Sequence, residues 1–400
     1  MVQGDSSTPK AIRVLRCMAF RENRKHPLMS PLSSASAHRT WAEITPAALI
    51  HNIRALQEAI GAKVGIVAVV KGDAYRHGLE QVVPALAPHA KMFGVANLAE
   101  AHAVRALAPK QPVLLLGPAL PEERADVVAS GFIPMVSSVD EAAAYSALAR
   151  LKPAPIHVKL DTGMGRIGIW HEDALAAVRE IVALHGITVA GLASHLPVAD
   201  QDDVFTQLQL AVFHRRAAEL REHGLPDVPL HIANSAGAIG FPEQAGDLVR
   251  IGLALYGHSP RPEFQPRLRA ALTWKTRVLL VRDVPADRSV SYGRTFITPQ
   301  TMRIATLAVG YADGYRRHLS GTGAGVLIGG KRCAVLGRVT MDQIMADVTA
   351  LDSVEPGDEV VLIGHQGGEE ITVAELAQKS GTVPWEIFTG LGERVARVLA

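Results

Sequence analysis

Between Thr45 and about residue 268 the chain repeats one alternation eight times: a short, almost unbroken apolar run, then a stretch of helical periodicity. The runs are GIVAVVK from Gly65, FGVA from Phe93, PVLLLG from Pro112, FIPMV from Phe132, IHVKL from Ile156, VAGLAS from Val189, PLHIA from Pro229 and LVRIG from Leu248. A strand that is apolar on both faces must be covered on both, and a helix between successive strands makes them parallel. Eight such units predict a (β/α)8 barrel. A doubly wound open sheet remains the alternative, because periodicity does not say whether a sheet closes. The first helix is marked by Thr45 as a cap and Pro46 in the first turn. Leu49, Ile50, Ile53, Leu56 and Ile60 then recur at helical spacing, and Gly61 ends it.

After residue 268 the pattern changes to short runs such as WKTRVLLV, RIATLAVG, GVLIGGKRC and EVVLIG, with little helix before Val373. Gly329-Gly330 between two apolar runs predicts a hairpin. The expected division is a barrel over 41–268, a mostly β domain over 269–400, and a basic extension over 1–40.

That extension holds seven Lys or Arg against Asp5 and Glu22, a net +5, which leaves −3 for the body of a chain whose total is +2. A body without a basic stripe offers little to a phosphate backbone, so no nucleic-acid partner is expected. Arg13 and Arg16 interrupt the extension's only apolar stretch, which argues against a secretory signal. The expectation is a disordered tail, with an organelle transit peptide or a later start at Met18 or Met29 as the other readings. No window approaches ~18 consecutive apolar residues, so no membrane span is expected. Cys17 and Cys333 form neither a CxxC pair nor a disulfide framework, which points to a reducing, cytoplasmic setting. HExxH and the nucleotide phosphate loop are absent, and no metal is expected.

Polar residues fall where the barrel strands should end: Lys71, Lys159 with Asp161, His195, His231 with Asn234 and Ser235, and Arg250 with Gly252. In a barrel these points converge on the catalytic mouth. HIANSAG and RIGLA, after the last two strands, supply hydroxyl and backbone N–H donors where barrels commonly hold phosphate. A phosphate with a strand-end lysine suggests pyridoxal phosphate, whose aldehyde needs an amine able to lose its proton. A solvated strand-end lysine is the plainer reading of Lys71. The fifth strand is anomalous, since Ile156, Val158 and Leu160 alternate with His157, Lys159 and Asp161. A lysine pointing into a barrel must be paired or modified. GMGRIG, Gly163 to Gly168, matches the dinucleotide fingerprint literally, but it follows the fifth strand rather than the first.

These residues sit in longer motifs: AVVKGDAYRHG at Ala68, HVKLDTGMGRIG at His157, SHLPVAD at Ser194, HIANSAG at His231, VRIGLALYG at Val249, SVSYGRTF at Ser289, VGYADGYRR at Val309 and GRVTMDQIMADV at Gly337. In combination they identify a chain that, from Trp41 onward, resembles the bacterial alanine racemases, pyridoxal-phosphate enzymes built of a barrel and a β domain. The resemblance implies racemisation of alanine for peptidoglycan precursors in a homodimer with composite active sites. It implies that Lys71 carries the cofactor and serves as base on one face of the substrate, while Tyr292 of the other subunit serves the opposite face. His195 and Arg250 would assist that tyrosine, and Arg250 would face the pyridine nitrogen without giving up its proton.

The same resemblance assigns Tyr75, Ser235, Gly252 and Leu253 to the phosphate, with Asn234 beside them. It places Arg166 near the cofactor phenolate and substrate carboxylate, and makes Lys159 the lysine often carbamylated to hold that arginine. Tyr311, Met341 and Asp342 would come from the partner to line the substrate pocket and its entrance. Three positions depart from the family pattern. Trp385 stands where Tyr is usual beside the phosphate, Thr340 where Cys is common, and VVKGDAYRHG replaces VVKANAYGHG. The change at Trp385 keeps a serine or broad-specificity racemase as the rival reading. A non-catalytic cofactor carrier is a further one, which the presence of Tyr292 and Met341 disfavours.

Overall fold

The computed structural model describes residues 38–150 and 152–400. The expected disordered tail, up to residue 37, and Cys17 with it, lie outside the described residues. The chain opens with β1 (Thr40–Ile44) and a helix at Pro46–Ile60. That helix buries Leu49, Ile53, Leu56 and Ile60 and stops at Gly61, whose φ of 87° suits glycine. Thr45 is the N-cap but its side chain makes no capping hydrogen bond, so Pro46 does the starting.

The barrel strands are β2 (Gly65–Val69), β3 (Met92–Val95), β4 (Val113–Leu115), β5 (Ile133–Val136) and β6 (Ala154–Asp161). A short β7 (Ile169–Trp170) lies beside β6, and β8 (Ile187–Ala193), β9 (Leu230–His231) and β10 (Leu248–Ile251) complete the set. They pair in parallel in the order β10-β2-β3-β4-β5-β6-β8-β9, so all eight expected strands are present and neighbours in sequence are neighbours in space. The remaining seam, β9 to β10, is drawn together by Asp247 N–H donating to Leu230 O at 2.8 Å and Arg250 N–H to Ala233 O at 3.0 Å. The sheet therefore nearly closes, which decides for the barrel over the open sheet.

The barrel interior is divided. Val67, Met92, Leu114, Met135, Ala193 and Leu248 form one buried apolar cluster drawn from six strands. Into the rest project His157 and Lys159 of β6, His231 of β9 and Arg250 of β10, all buried. The alternation of β6 thus has a structural cause. Ile156, Val158 and Leu160 join the main core under the helices, while the opposite face of the strand supplies polar groups to the barrel centre.

The second domain comprises β11 (Leu272–Val284), β12 (Ser289–Val290), β13 (Phe296–Ile297), β14 (Met302–Leu307), β15 (Gly325–Ile328), β16 (Lys331–Leu336), β17 (Ile344–Asp347), β18 (Glu359–Gln366), β19 (Glu369–Ile371) and β20 (Ala396–Leu399). Because β11 pairs with both β14 and β18, the path β11-β14-β17-β16-β15-β18 returns on itself as a small closed barrel. Gly329 and Gly330, with φ of 58° and 76°, form the two-residue turn between β15 and β16 expected of that dipeptide. Residues 41–44, counted with the barrel on sequence, hydrogen-bond elsewhere: β1 pairs antiparallel with β11 and parallel with β20. A five-residue run carries its own alternation but no mark of which sheet will receive it.

Candidate active site

At the C-terminal mouth of the barrel lies a cavity of about 420 Å³, lined by Lys71, Tyr75, His195, Asn234, Ser235, Arg250, Gly252, Leu253 and Trp385 among others. A neighbouring lobe of about 350 Å³ shares Lys71, Leu116, His195 and Arg250 and adds Lys159 and Arg166. Of the residues picked from sequence, eleven therefore converge on one place. Tyr292, Tyr311, Met341 and Asp342 do not, and face solvent elsewhere on the chain.

Lys71 follows β2 after one residue, the buried Val70. Burial of the amine within the cavity lowers its pKa, Arg166 lowers it further, and Glu100 opposes them. A lysine so placed loses its proton more readily than one in water.

On one side of the cavity stand groups suited to an oxyanion. Asn234 caps the turn of helix Ser235–Gly240, accepting from Gly237 N–H at 3.0 Å and donating to Leu196 O at 2.9 Å. Ser235 Oγ accepts the N–H of Gly252 at 3.1 Å, which leaves its own proton free to donate. Gly252 is required by space, since a Cβ there would lie 2.4 Å from the Tyr75 hydroxyl. Burial pushes Tyr75 up to about 12, so it stays a donor, and its hydroxyl has no hydrogen-bond partner among the described residues.

On the barrel axis Arg250 organises a hydrogen-bond chain. Its Nη2 donates to Ser194 O (2.7 Å), Ile232 O (3.0 Å) and His195 Nδ1 (3.0 Å), and its Nη1 to His231 O (2.9 Å) and His231 Nδ1 (2.8 Å). A guanidinium only donates, so both histidines must accept through Nδ1 and carry their protons on Nε2. His231 Nε2 in turn donates to His157 Nδ1 at 2.8 Å. Burial first and Arg250 second hold His195 and His231 well below the ordinary histidine range, and the same causes bring His157 to about 4. The His157 ring fits only because Gly191 lacks a Cβ, which would come within 2.7 Å of it. Arg250 itself is lowered to about 10 by burial and then by Arg166, and remains charged at neutral pH.

Lys159 is buried beside these groups, and among the described residues none hydrogen-bonds its amine. Burial, then Arg250 and Arg166, lower its pKa well below the usual value, with Asp161 acting the other way. The GMGRIG segment has a different role from the one its spelling suggests. Asp161 accepts from the backbone N–H of Gly163 (2.8 Å), Met164 (2.7 Å), Gly165 (2.8 Å) and Arg166 (3.2 Å). Those donors are already satisfied by a carboxylate and cannot cradle a pyrophosphate. What the loop does is present Arg166 to the cavity.

The remaining four residues lie on the second domain. Tyr292 stands in the β12–β13 excursion, 73% exposed, with Met341 at 53% and Tyr311 at 42%. Asp342 receives Arg394 Nη2 at 2.8 Å. Among the described residues no cluster of three His, Cys, Asp or Glu is placed to hold a metal, and no helix is long and apolar enough to cross a membrane. Sequence reasoning passed over Glu100, whose carboxylate accepts the N–H of Gly72 next to Lys71 at 2.7 Å. Its signal was Asn97-x-x-Glu100, an acid at the third position of a capped helix. His157 was noticed only as part of the polar face of the fifth strand, without a role, and Ser194 was passed over because a serine carbonyl has no spelling of its own.

Two family models match the chain: the alanine racemase N-terminal domain over residues 44–260 and the C-terminal domain over 271–399. The alanine racemase of Methylacidiphilum infernorum is 39% identical over 92% of this chain and 94% of its own length. That of Carboxydothermus hydrogenoformans is 41% identical over 90% of this chain and 98% of its own. Among solved structures, alanine racemase of Bacillus anthracis with bound L-Ala-P superposes with a TM-score of 0.84 at 34% identity, covering 93% of this chain and 96% of that one. The Bartonella henselae enzyme with covalently bound pyridoxal phosphate gives 0.83 at 30% identity, covering 90% and 99%. With both domains matched along nearly its whole described length, the chain belongs to the alanine racemase family.

Proposed function

We propose that this chain interconverts L- and D-alanine with pyridoxal 5′-phosphate as cofactor, in a cytoplasmic homodimer that supplies D-alanine for peptidoglycan. Residues 41–268 would bind the cofactor, Trp385 of the second domain would close the same chain's cavity, and Tyr292, Tyr311, Met341 and Asp342 of 269–400 would complete the partner's site. One observation carries the reading: Lys71, an amine eased toward its neutral form, lines the cavity, while Tyr292 stands exposed on a different domain of the same chain. Inversion at a carbon needs proton transfer on two faces, and a second copy is the simplest source of the second group.

The residues fit the cofactor. Tyr75 and Ser235 hold hydroxyl protons with no other acceptor, Gly252 leaves the space, and Lys71 is an amine eased toward its neutral form. Asn234 and Leu253 would frame the phosphate with them, Trp385 would close that side, and Arg250 would face the ring nitrogen as a donor. When bound, the cofactor supplies an electron sink that weakens the substrate's Cα–H bond. Lys71 then takes or returns the proton on one face, and Tyr292 of the second copy does so on the other. His195, held neutral with its proton on Nε2, offers a hydrogen bond that stabilises a tyrosinate. Arg166 orients the substrate carboxylate, and the partner's copies of Tyr311, Met341 and Asp342 narrow the entrance. The test is alanine racemisation by the wild-type chain and by Lys71→Ala, whose unimpaired activity would defeat the reading. Broader specificity rests on Trp385 in the cavity wall and would appear as serine or lysine matching alanine in kcat/KM.

A further inference from the structure

Lys71 stands at the head of a backbone conformation that L-residues avoid. Gly72, Asp73, Ala74, Tyr75 and Arg76 all have φ between 53° and 65°, a left-handed turn with four non-glycine members. Such a turn persists only where its surroundings over-determine it. Three side chains do so here. Asp73 Oδ1 accepts Leu79 N–H at 2.9 Å, and Arg397 Nε, from β20, donates to Arg76 O at 2.9 Å. Glu100 Oε1 accepts Gly72 N–H at 2.7 Å while its Oε2 accepts Ala96 N–H at 2.8 Å.

The third pin is unusual for its position. Glu100 sits in the first turn of helix Leu98–Leu107, whose cap Asn97 accepts Glu100 N–H at 2.9 Å. In a capping box the acid returns to the N–H of the cap itself. Here it passes beyond it, and one carboxylate ties the residue after β3 to the residue after Lys71. We propose that Glu100 is a positioning residue for Lys71, locking the left-handed turn so that the amine projects into the cavity, with the Glu100 carboxylate held on the backbone of the very next residue.

The cations around the amine oppose its charge. Arg166, Lys159 and Arg250 share its lobe of the cavity with the neutral His195, Asp200 lines the adjoining lobe, and Arg76 lies on its own turn with Asp73 and Tyr75. Of the acids, Glu100 is the one that raises the amine's pKa against burial and Arg166. The proposal rests on Lys71 being the reactive lysine, so the test separates the two.

Competitive acetylation of the cofactor-free protein across pH, with mass mapping, reads the protonation midpoint of Lys71 without any reaction. In Glu100→Gln the amide can accept only one of the two N–H groups and the charge is gone. The midpoint is expected to fall by about one pH unit, and kcat for alanine by at least about tenfold, with KM little changed. In Glu100→Asp the charge stays and the reach is lost, so kcat falls while the midpoint holds. Wild-type kcat in both variants overturns the proposal, and so does a kcat loss in Glu100→Gln with an unmoved midpoint, which marks a merely structural acid. If Glu100→Gln fails to fold, Glu100→Asp decides, wild-type kcat there being the overturning result. Racemisation surviving Lys71→Ala would instead sink the role of Lys71, a distinct outcome from either.

Discussion

Arg250 Nη2 donates to His195 Nδ1 at 3.0 Å, and this single contact determines on which nitrogen the histidine keeps its proton. Burial is the larger cause of the lowered His195 pKa and Arg250 the next. In Arg250→Gln the cation is removed and burial remains. The His195 midpoint, followed by imidazole NMR, is therefore expected to move upward but to stay below the ordinary value near ~6.5. A downward movement would contradict the assignment of donor and acceptor.

Tyr292→Phe removes the hydroxyl while keeping the exposed ring. Racemisation is expected to fall by about 10²–10⁴-fold, with cofactor absorbance on Lys71 retained. Mixing this variant with Lys71→Ala tests the composite site. If each site needs Lys71 from one copy and Tyr292 from the other, random exchange restores about a quarter of wild-type activity per chain. No recovery on mixing would place both residues in the same chain's site.

Lys159 is expected to take up carbon dioxide. Its amine is held toward the neutral form, so nitrogen can attack the carbon, a proton leaves to solvent, and a carbamate anion results beside Arg166 and Arg250. Labelled bicarbonate should produce one carbamate NMR resonance per chain that Lys159→Ala lacks. The same resonance persisting in Lys159→Ala would assign it elsewhere.

Acid should destabilise the fold through its buried histidines. His77 is lowered to about 3 and His157 to about 4, in both cases chiefly by burial. Between the unfolded value near ~6.5 and these values the unfolded chain binds protons that the folded one does not, so stability falls as pH falls. Each contributes up to about 1.4 kcal/mol per pH unit in that window. His77→Phe keeps the stack on Tyr256 and Phe388, at 4.4 and 4.9 Å. It loses the bond from Nδ1 to Tyr75 O at 3.1 Å, so Tm at pH 7 drops modestly while its slope between pH 6 and 4 flattens. An unchanged slope would remove His77 from the account.

Trp385 lines the cavity with an indole that donates but does not accept. Trp385→Tyr is expected to tighten cofactor binding severalfold and to shift kcat/KM between alanine and serine, measured side by side. Identical affinities and ratios would show the indole to be a neutral replacement.

Much of this molecule is written locally. Eight apolar runs placed the eight barrel strands, Gly329-Gly330 placed a turn, and the strand ends named Lys71, His195, Ser235 and Arg250, because burial and backbone preference act within a few residues of chain. Tertiary structure alone decided what those elements meet. That β9 and β10 draw the barrel together, that β1 crosses to β11, that Asp161 consumes the donors of GMGRIG and that Glu100 reaches Gly72 all depend on hydrogen bonds between residues no short-range pattern relates. The separation of Lys71 from Tyr292 is of the same kind. Each is readable in its motif, but only the folded chain puts one inside a cavity and leaves the other facing outward.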